Sequence, residues 1–194
     1  MRLYHISQSL KLGDTLTPGH QNYSDLSEPF ILGLERGADC FYAALLNGKY
    51  LYAVMKRSGL REWADYAKWA TEGLFEFVRR REFPEAVSRL ACVYYYDNLD
   101  DCRRLYEDDW GEESPEEREK VRLFAVEPED PAPQRRDMSL YDLAYDAVEG
   151  LDPDAAIALA RRYFRGEASE KPMWELLSDK PGRAVEDLTP ELRQ

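Results

Sequence analysis

The sequence predicts an α+β protein, and three observations carry that reading. Strand-like and helix-like stretches alternate, but the helices differ in length and no regular βαβ rhythm emerges. No GxGxxG follows a strand, so a dinucleotide-binding doubly wound sheet is excluded. At 194 residues the chain suits one globular domain over its whole length, able to bury roughly two-thirds of its unfolded surface. No disulfide or structural metal is needed to hold a core of that size.

Four stretches read as strands and four or five as helices. Arg2 to Ile6 is the first strand, short enough that its use is to present His5. Between Asn22 and Gly59 periodicity does not decide. Cys40-Phe41-Tyr42-Ala43-Ala44-Leu45-Leu46 fits a buried helix turn or a strand and is then cut by Asn47-Gly48. Leu60 to Arg81 is clearer: Trp63, Ala67, Ala70, Leu74, Phe77 and Val78 recur at three- and four-residue steps until Phe83-Pro84. That period predicts a long amphipathic helix packed across the sheet.

Leu90 to Tyr96 is aromatic and β-branched without a helical period, and reads as a central strand ending at Asp97-Asn98. A helix follows from about Leu99 to Asp108. Ser114-Pro115-Glu116-Glu117 has a cap residue, proline at the first helical position and acids in the first turn, so a short helix starts there. Val121 to Val126 is a third strand, Glu129 to Arg136 a proline- and charge-rich loop, and Asp137 to Val148 a helix. A second helix runs from Pro153 to about Phe164, with Asp152 as cap and Gly166 as stop. Met173 to Leu177 is the last strand, and the final dozen residues are expected to be loosely ordered.

Composition narrows the partners. The chain has 38 acidic and 26 basic residues and a net charge of −12, which opposes general attachment to nucleic acid. Arg79-Arg80-Arg81 reads as the cationic end of a helix rather than a phosphate patch. No apolar run reaches the ~18 residues that span a membrane, so a soluble chain is expected. Cys40, Cys92 and Cys102 lack metal-ligand spacing, and their odd number without a leader pattern predicts reduced thiols in a cytoplasm. Cys40 and Cys92 lie in apolar surroundings and are expected to be buried.

The chemistry-bearing residues concentrate at the amino end. Leu3-Tyr4-His5-Ile6-Ser7 is followed by Leu10-Lys11-Leu12-Gly13-Asp14 and Leu16-Thr17-Pro18-Gly19. This pattern resembles the opening of rifampin ADP-ribosyltransferases. Two more segments extend the resemblance: Val93-Tyr94-Tyr95-Tyr96 with Asn98-Leu99-Asp100, and Leu123-Phe124-Ala125-Val126-Glu127-Pro128. The resemblance implies a split β-sheet core with several helices, NAD as the substrate, His5 on the nicotinamide ribose and Tyr94 stacked on nicotinamide. The family's catalytic aspartate would fall near Arg135, so that residue does not carry over, and Asp137 is the nearest acid downstream.

The chain also resembles, over most of its length, an uncharacterised bacterial domain family. The shared signposts are Phe83-Pro84, Ser88-Arg89-Leu90, Asp137-Met138-Ser139-Leu140 and Tyr163-Phe164-Arg165-Gly166-Glu167 leading to Trp174-Glu175-Leu176-Leu177.

ADP-ribosyl transfer needs a group on the ribose, a ring against nicotinamide and a carboxylate near the developing positive charge. His5, Tyr94 and Glu175 fill those roles in this reading. Ser7, Arg89 and Tyr96 are further candidates for nucleotide binding, and Arg2 for phosphate. Each has a plainer alternative. His5 can finish an edge strand, the tyrosines can be packing, Glu175 can be a solvated residue on a half-buried strand, and Asp137 can cap a helix.

Two histidines, His5 and His20, without HExxH or a cysteine cluster argue against zinc. No hydrolase elbow or phosphate loop is present, and nothing singles out a glycosidase carboxylate pair. The expected activity is mono-ADP-ribosyl transfer to an acceptor the sequence does not identify: a protein, a nucleic acid, a small molecule or water. The competing expectation is a binding module that keeps the fold without the reaction.

Overall fold

The computed structural model describes residues 2–19, 23–57 and 66–193. Among them are seven strands and eight α-helices, an α+β composition. The strands are β1 (Leu3–Ser7), β2 (Thr15–Leu16), β3 (Val93–Tyr95), β4 (Arg122–Pro128), β5 (Gln134–Asp137), β6 (Trp174–Ser178) and β7 (Gly182–Asp187). The helices are α1 (Tyr23–Arg36), α2 (Ala38–Arg57), α3 (Tyr66–Glu82), α4 (Leu99–Trp110), α5 (Pro115–Lys120), α6 (Met138–Glu149), α7 (Pro153–Phe164) and α8 (Thr189–Leu192). The chain divides into two compact units. One comprises Met1–Gly19, Ala91–Arg136 and Met173–Gln194; the other comprises His20–Leu90 and Asp137–Pro172.

The first unit holds both sheets. One has the order β1-β4-β7-β2 and the other β3-β6-β5. Where register is defined the pairs are antiparallel. A single bridge, Tyr4 to Tyr96, connects them, with both amide-to-carbonyl bonds made at 2.8 and 2.9 Å. The core gathers one face of each sheet: Leu3, Leu16, Val93, Tyr95, Phe124, Val126, Leu176 and Ala184.

Several elements differ from the expectation, each for a local reason. The strand read as central, Leu90 to Tyr96, is a 3-10 turn at Arg89–Ala91 followed by a three-residue strand at the sheet's margin; β6 is central instead. The loop expected over Glu129 to Arg136 contains β5, whose polar residues give no alternation signal. The supposedly loose final residues form β7 and α8. β7 escaped notice because it sends only Ala184 into the core and holds its place by backbone pairing with β4 and β2.

The second unit is helical. The undecided stretch after Asn22 is α1 and α2, with Asn47-Gly48 inside α2 rather than ending it. Phe41 and Leu45, both fully buried, supply the four-residue step that an all-apolar run hides. Gly48 is explained by α3: a Cβ there would stand 2.7 Å from that of Tyr66. Gly73 plays the same part on the other side, where a Cβ would meet the Ser27 carbonyl at 2.9 Å. The expected helix from Leu60 to Arg81 is α3 over Tyr66–Glu82; Trp63 and the rest of residues 58–65 lie outside the described residues, as do His20 and Asn22. The packing partners of α3 are helices, α1, α2, α6 and α7, where a sheet was expected.

Two buried carboxylates inside the helical unit, Glu72 and Glu76, are paired with arginines. The Arg89 guanidinium donates to the Tyr163 hydroxyl at 2.8 Å and to both Glu72 oxygens at 3.2 and 3.3 Å, and lies 4.1 Å over the Tyr141 ring. One turn along α3, Glu76 accepts from Arg79, Arg80 and the Ser88 hydroxyl. Arg79 also donates to the carbonyls of Pro84 and Ala86, which lashes the chain after α3 to its last turn. The arginine run therefore closes a helix, as its position suggested. Of the cysteines, Cys92 and Cys102 are buried, whereas Cys40, expected to be buried, is exposed.

Two outcomes follow for stability. Burial pushes the Glu76 carboxyl up, but hydrogen bonds from Arg79, Ser88 and Arg80 outweigh it and hold the group below the usual glutamate range. A depressed folded value stabilises above the unfolded pKa and is lost as pH falls through the folded one. Urea midpoints of the wild type should therefore fall on acidification below about pH 4, and Glu76→Gln should flatten that limb.

In the sheet unit, the Tyr95 hydroxyl is buried without a hydrogen-bond partner, and a Cβ on Gly182 would collide with it. Gly182→Ala should cost about 1–3 kcal/mol in urea denaturation. Tyr95→Phe should be neutral or stabilising, because it removes an unsatisfied polar group, and should lessen the cost of Gly182→Ala.

Candidate site at the split between the sheets

The Tyr4–Tyr96 bridge fixes which backbone groups of β3 face β1. Residues 96 and 94 point their carbonyls toward β1, while 93 and 95 pair with β6. In an unbroken ladder the next rung would bring the Ile6 N–H to the Tyr94 carbonyl. The ladder stops at one bridge, and the His5 side chain fills the gap: Nδ1 donates to the Tyr94 carbonyl at 2.8 Å. A carbonyl only accepts, so Nδ1 carries a proton and is the donor. His5 thus finishes the strand and is oriented by doing so.

The structure brings His5 and Tyr94 together through the Tyr94 backbone. The Tyr94 ring stands on the other face of β3 from Tyr95, which is fully buried in the core. Burial, with Asp130 and Glu129 nearby, pushes the Tyr95 phenol up to about 12, so it stays protonated. The register sets Tyr94 against Leu177 and Tyr95 against Leu176, so alternation along β6 puts Glu175 on the Tyr94 side, opposite to Leu3 and His5. Tyr94, Tyr96 and Glu175 therefore share a face, and Leu176 points the opposite way into the core.

Glu175 is 1% exposed. It is not the solvated strand residue that alternation alone suggests. A buried carboxylate is costly to keep unless something compensates its charge, which makes Glu175 the most unusual side chain near the split.

The remaining candidates have local duties. The Ser7 hydroxyl accepts from the N–H groups of Ser9 and Leu10, both at 3.2 Å, and so shapes the turn after β1. Arg2 pairs with Glu186. Arg89 belongs to the helical unit, where Glu72 and Tyr163 engage its guanidinium. Asp137 caps α6 through Ser139 N–H at 3.0 Å and accepts from Ser169 N–H with its other oxygen at 2.6 Å, so its capping alternative is the one realised.

One cluster was not singled out from the sequence. The Arg135 guanidinium lies 4.0 Å over the Trp174 ring, with Nε 3.4 Å from an Asp97 oxygen. The Trp174 backbone N–H donates to the Asp101 carboxylate. The only signal in the sequence was the cation at Arg135 where an acid was sought. Among the described residues no group of three or more His, Cys, Asp or Glu could hold a metal ion, and no helix is long and apolar enough to cross a membrane.

Fold and site together define an α+β protein with a split antiparallel sheet, a histidine seated in the split on the core side and a buried glutamate on the opposite face. The family profile described as "Protein of unknown function (DUF2441)" matches residues 3–186, and the chain belongs to that family. This bears out the resemblance to an uncharacterised domain family. No curated protein matches the chain.

The geometry of His5 separates its two ring nitrogens by experiment. Asparagine places an amide N–H where Nδ1 stood and has nothing at Nε2. His5→Ala should lower stability by about 1 kcal/mol in thermal or urea denaturation, and His5→Asn should restore most of that loss.

Proposed function

We propose that this protein transfers ADP-ribose from NAD to an acceptor and releases nicotinamide. The observation that carries the reading is the His5–Tyr94 hydrogen bond in the split, with buried Glu175 on the face of the Tyr94 ring and the His5 side chain on the other. The residues that resemble the rifampin ADP-ribosyltransferases supply the comparison. In the reaction the bond from ribose C1′ to the nicotinamide nitrogen breaks, and its electron pair leaves with the now neutral nicotinamide. The acceptor attacks C1′ and gives up a proton.

His5 suits the ribose because the Nδ1 bond holds its ring in one orientation, and an imidazole can hydrogen-bond a ribose hydroxyl. The Tyr94 ring offers a stacking face for nicotinamide. Glu175 offers a carboxylate in surroundings that strengthen its pull on the positive charge of the oxocarbenium-like transition state. The acceptor is a protein, a nucleic acid, a small molecule or water, and the same NAD half-site serves each.

A second reading has its own observation. Arg135 puts a cation where the rifampin enzymes place a catalytic aspartate, which favours a binding module that keeps the fold without the transfer.

Ligand-observed NMR of NAD, with nicotinamide followed in the same tube, separates the two. The transferase reading expects saturable binding and nicotinamide release. Release should fall about a hundredfold or more in Glu175→Gln, and in His5→Asn despite its retained stability. Absence of both binding and release at millimolar NAD would sink the transferase and leave the module.

A further inference from the structure

We propose that Arg135, stacked on Trp174, is the docking point for the diphosphate of the dinucleotide; this rests on the NAD reading above. The first support is availability. The Arg135 side chain is 49% exposed; Asp97 faces Nε at 3.4 Å, and the charge of Asp101 also acts on it from farther away. Among the described contacts its Nη groups are left for solvent, and a planar fork of N–H donors matches the oxygens of a phosphate.

The second support is preorganisation. A free surface arginine loses rotamer freedom when it binds an anion. Here the Trp174 ring supports the guanidinium, Asp97 orients its inner edge, and Asp101 ties down the backbone of Trp174. Asp97 removes part of the net positive charge, so the fork selects by shape and hydrogen bonding as well as by attraction. A dianionic or trianionic group, rather than a single carboxylate, is what such a partly neutralised cation distinguishes best.

The third support is position. The β3–β6 register ends with Tyr95 against Leu176, and Asp97 and Trp174 each stand two residues beyond that rung toward the same end of the sheet. One residue along a strand is about 3.4 Å, so Trp174 is close to the candidate carboxylate along β6 but faces the other side of the sheet, the side of His5. Asp97 and Trp174 also share the side of Tyr95 and Leu176, the same side as Leu3 and His5 on β1. In NAD the ribose carries the diphosphate on its 5′ oxygen, one sugar away from the C1′ that reacts. A ribose held by His5 would send its diphosphate along the strand end toward Arg135.

The test titrates the full chain with inorganic pyrophosphate and with NAD, and reads the indole N–H resonance of Trp174 in a proton–nitrogen correlation spectrum. Pyrophosphate should move that resonance saturably, and NAD should compete with it. Arg135→Gln should weaken both by about tenfold or more, and Arg135→Lys should recover only part, because it restores charge without the fork. Arg135 is at the surface, so these variants keep the fold, which the unchanged remainder of the spectrum checks.

Unchanged affinities in Arg135→Gln, or no response to pyrophosphate, would overturn the proposal. Simultaneous binding of NAD and pyrophosphate would also overturn it, by assigning the phosphate to an acceptor. Binding of pyrophosphate through Arg135 without any binding of NAD would keep the anion site and reject the dinucleotide reading.

Discussion

The Tyr94 carbonyl sets the terms for everything around the split. A partly buried carbonyl must find a donor, and the bridge at Tyr4–Tyr96 aims this one at β1 just where the two strands stop pairing. Any residue at position 5 with a short side-chain N–H could answer it. Histidine answers it with Nδ1, and because the ring is rigid the same bond fixes the ring's direction.

Core packing explains how the sheets tolerate the split. Tyr95, Val93 and Leu176 on one sheet and Leu3, Phe124, Val126 and Ala184 on the other fill a common core. Side chains therefore hold together what backbone pairing joins at only one rung. Tyr95 is large enough to reach β7, where Gly182 makes room for its hydroxyl. That contact leaves a polar atom unsatisfied, and area burial must offset it. Glu175 then sits one residue from the core on the opposite face, buried where an ordinary strand glutamate would meet water.

Much of this could be read from residues alone because it is written in local chemistry. Asn98, Ser114, Asp137 and Asp152 each cap the helix they precede, since a short acceptor side chain before a helix has few other uses. His5 and Tyr94 were legible as a pair through their resemblance, yet their contact through the Tyr94 backbone was not, because it depends on strand pairing between residues 89 positions apart. β2, β5 and β7 stayed hidden for a related reason. They are short or polar, and register with distant partners defines them rather than any periodicity of their own. The α1–α2 region misled in the opposite way: apolar on every side of Cys40 to Leu46, it offered too many hydrophobic positions to reveal a period.

Arg89 and Arg135 show why an arginine's type does not settle its use. Both guanidiniums stand over an aromatic ring, at 4.1 Å from the centre of Tyr141 and 4.0 Å from that of Trp174. Arg89 is 6% exposed, its fork is closed by the Glu72 carboxylate, and its outer edge meets the Tyr163 hydroxyl. Removing any member of that set would strand a charge in the interior, so its tie to folding is strong and its capacity for a ligand small. Arg135 has the same ring contact without the closure. Asp97 stands at the inner edge, 3.4 Å from Nε, with Asp101 farther off, and the side chain is half exposed. Desolvating its exposed part costs less than breaking a buried pair, and a phosphate can replace the water it loses. The sequence reading proposed Arg89 for nucleotide binding and passed over Arg135 as a missing acid. Which guanidinium can receive an anion is decided by what already occupies its fork, a property of the folded chain that residue type does not reveal.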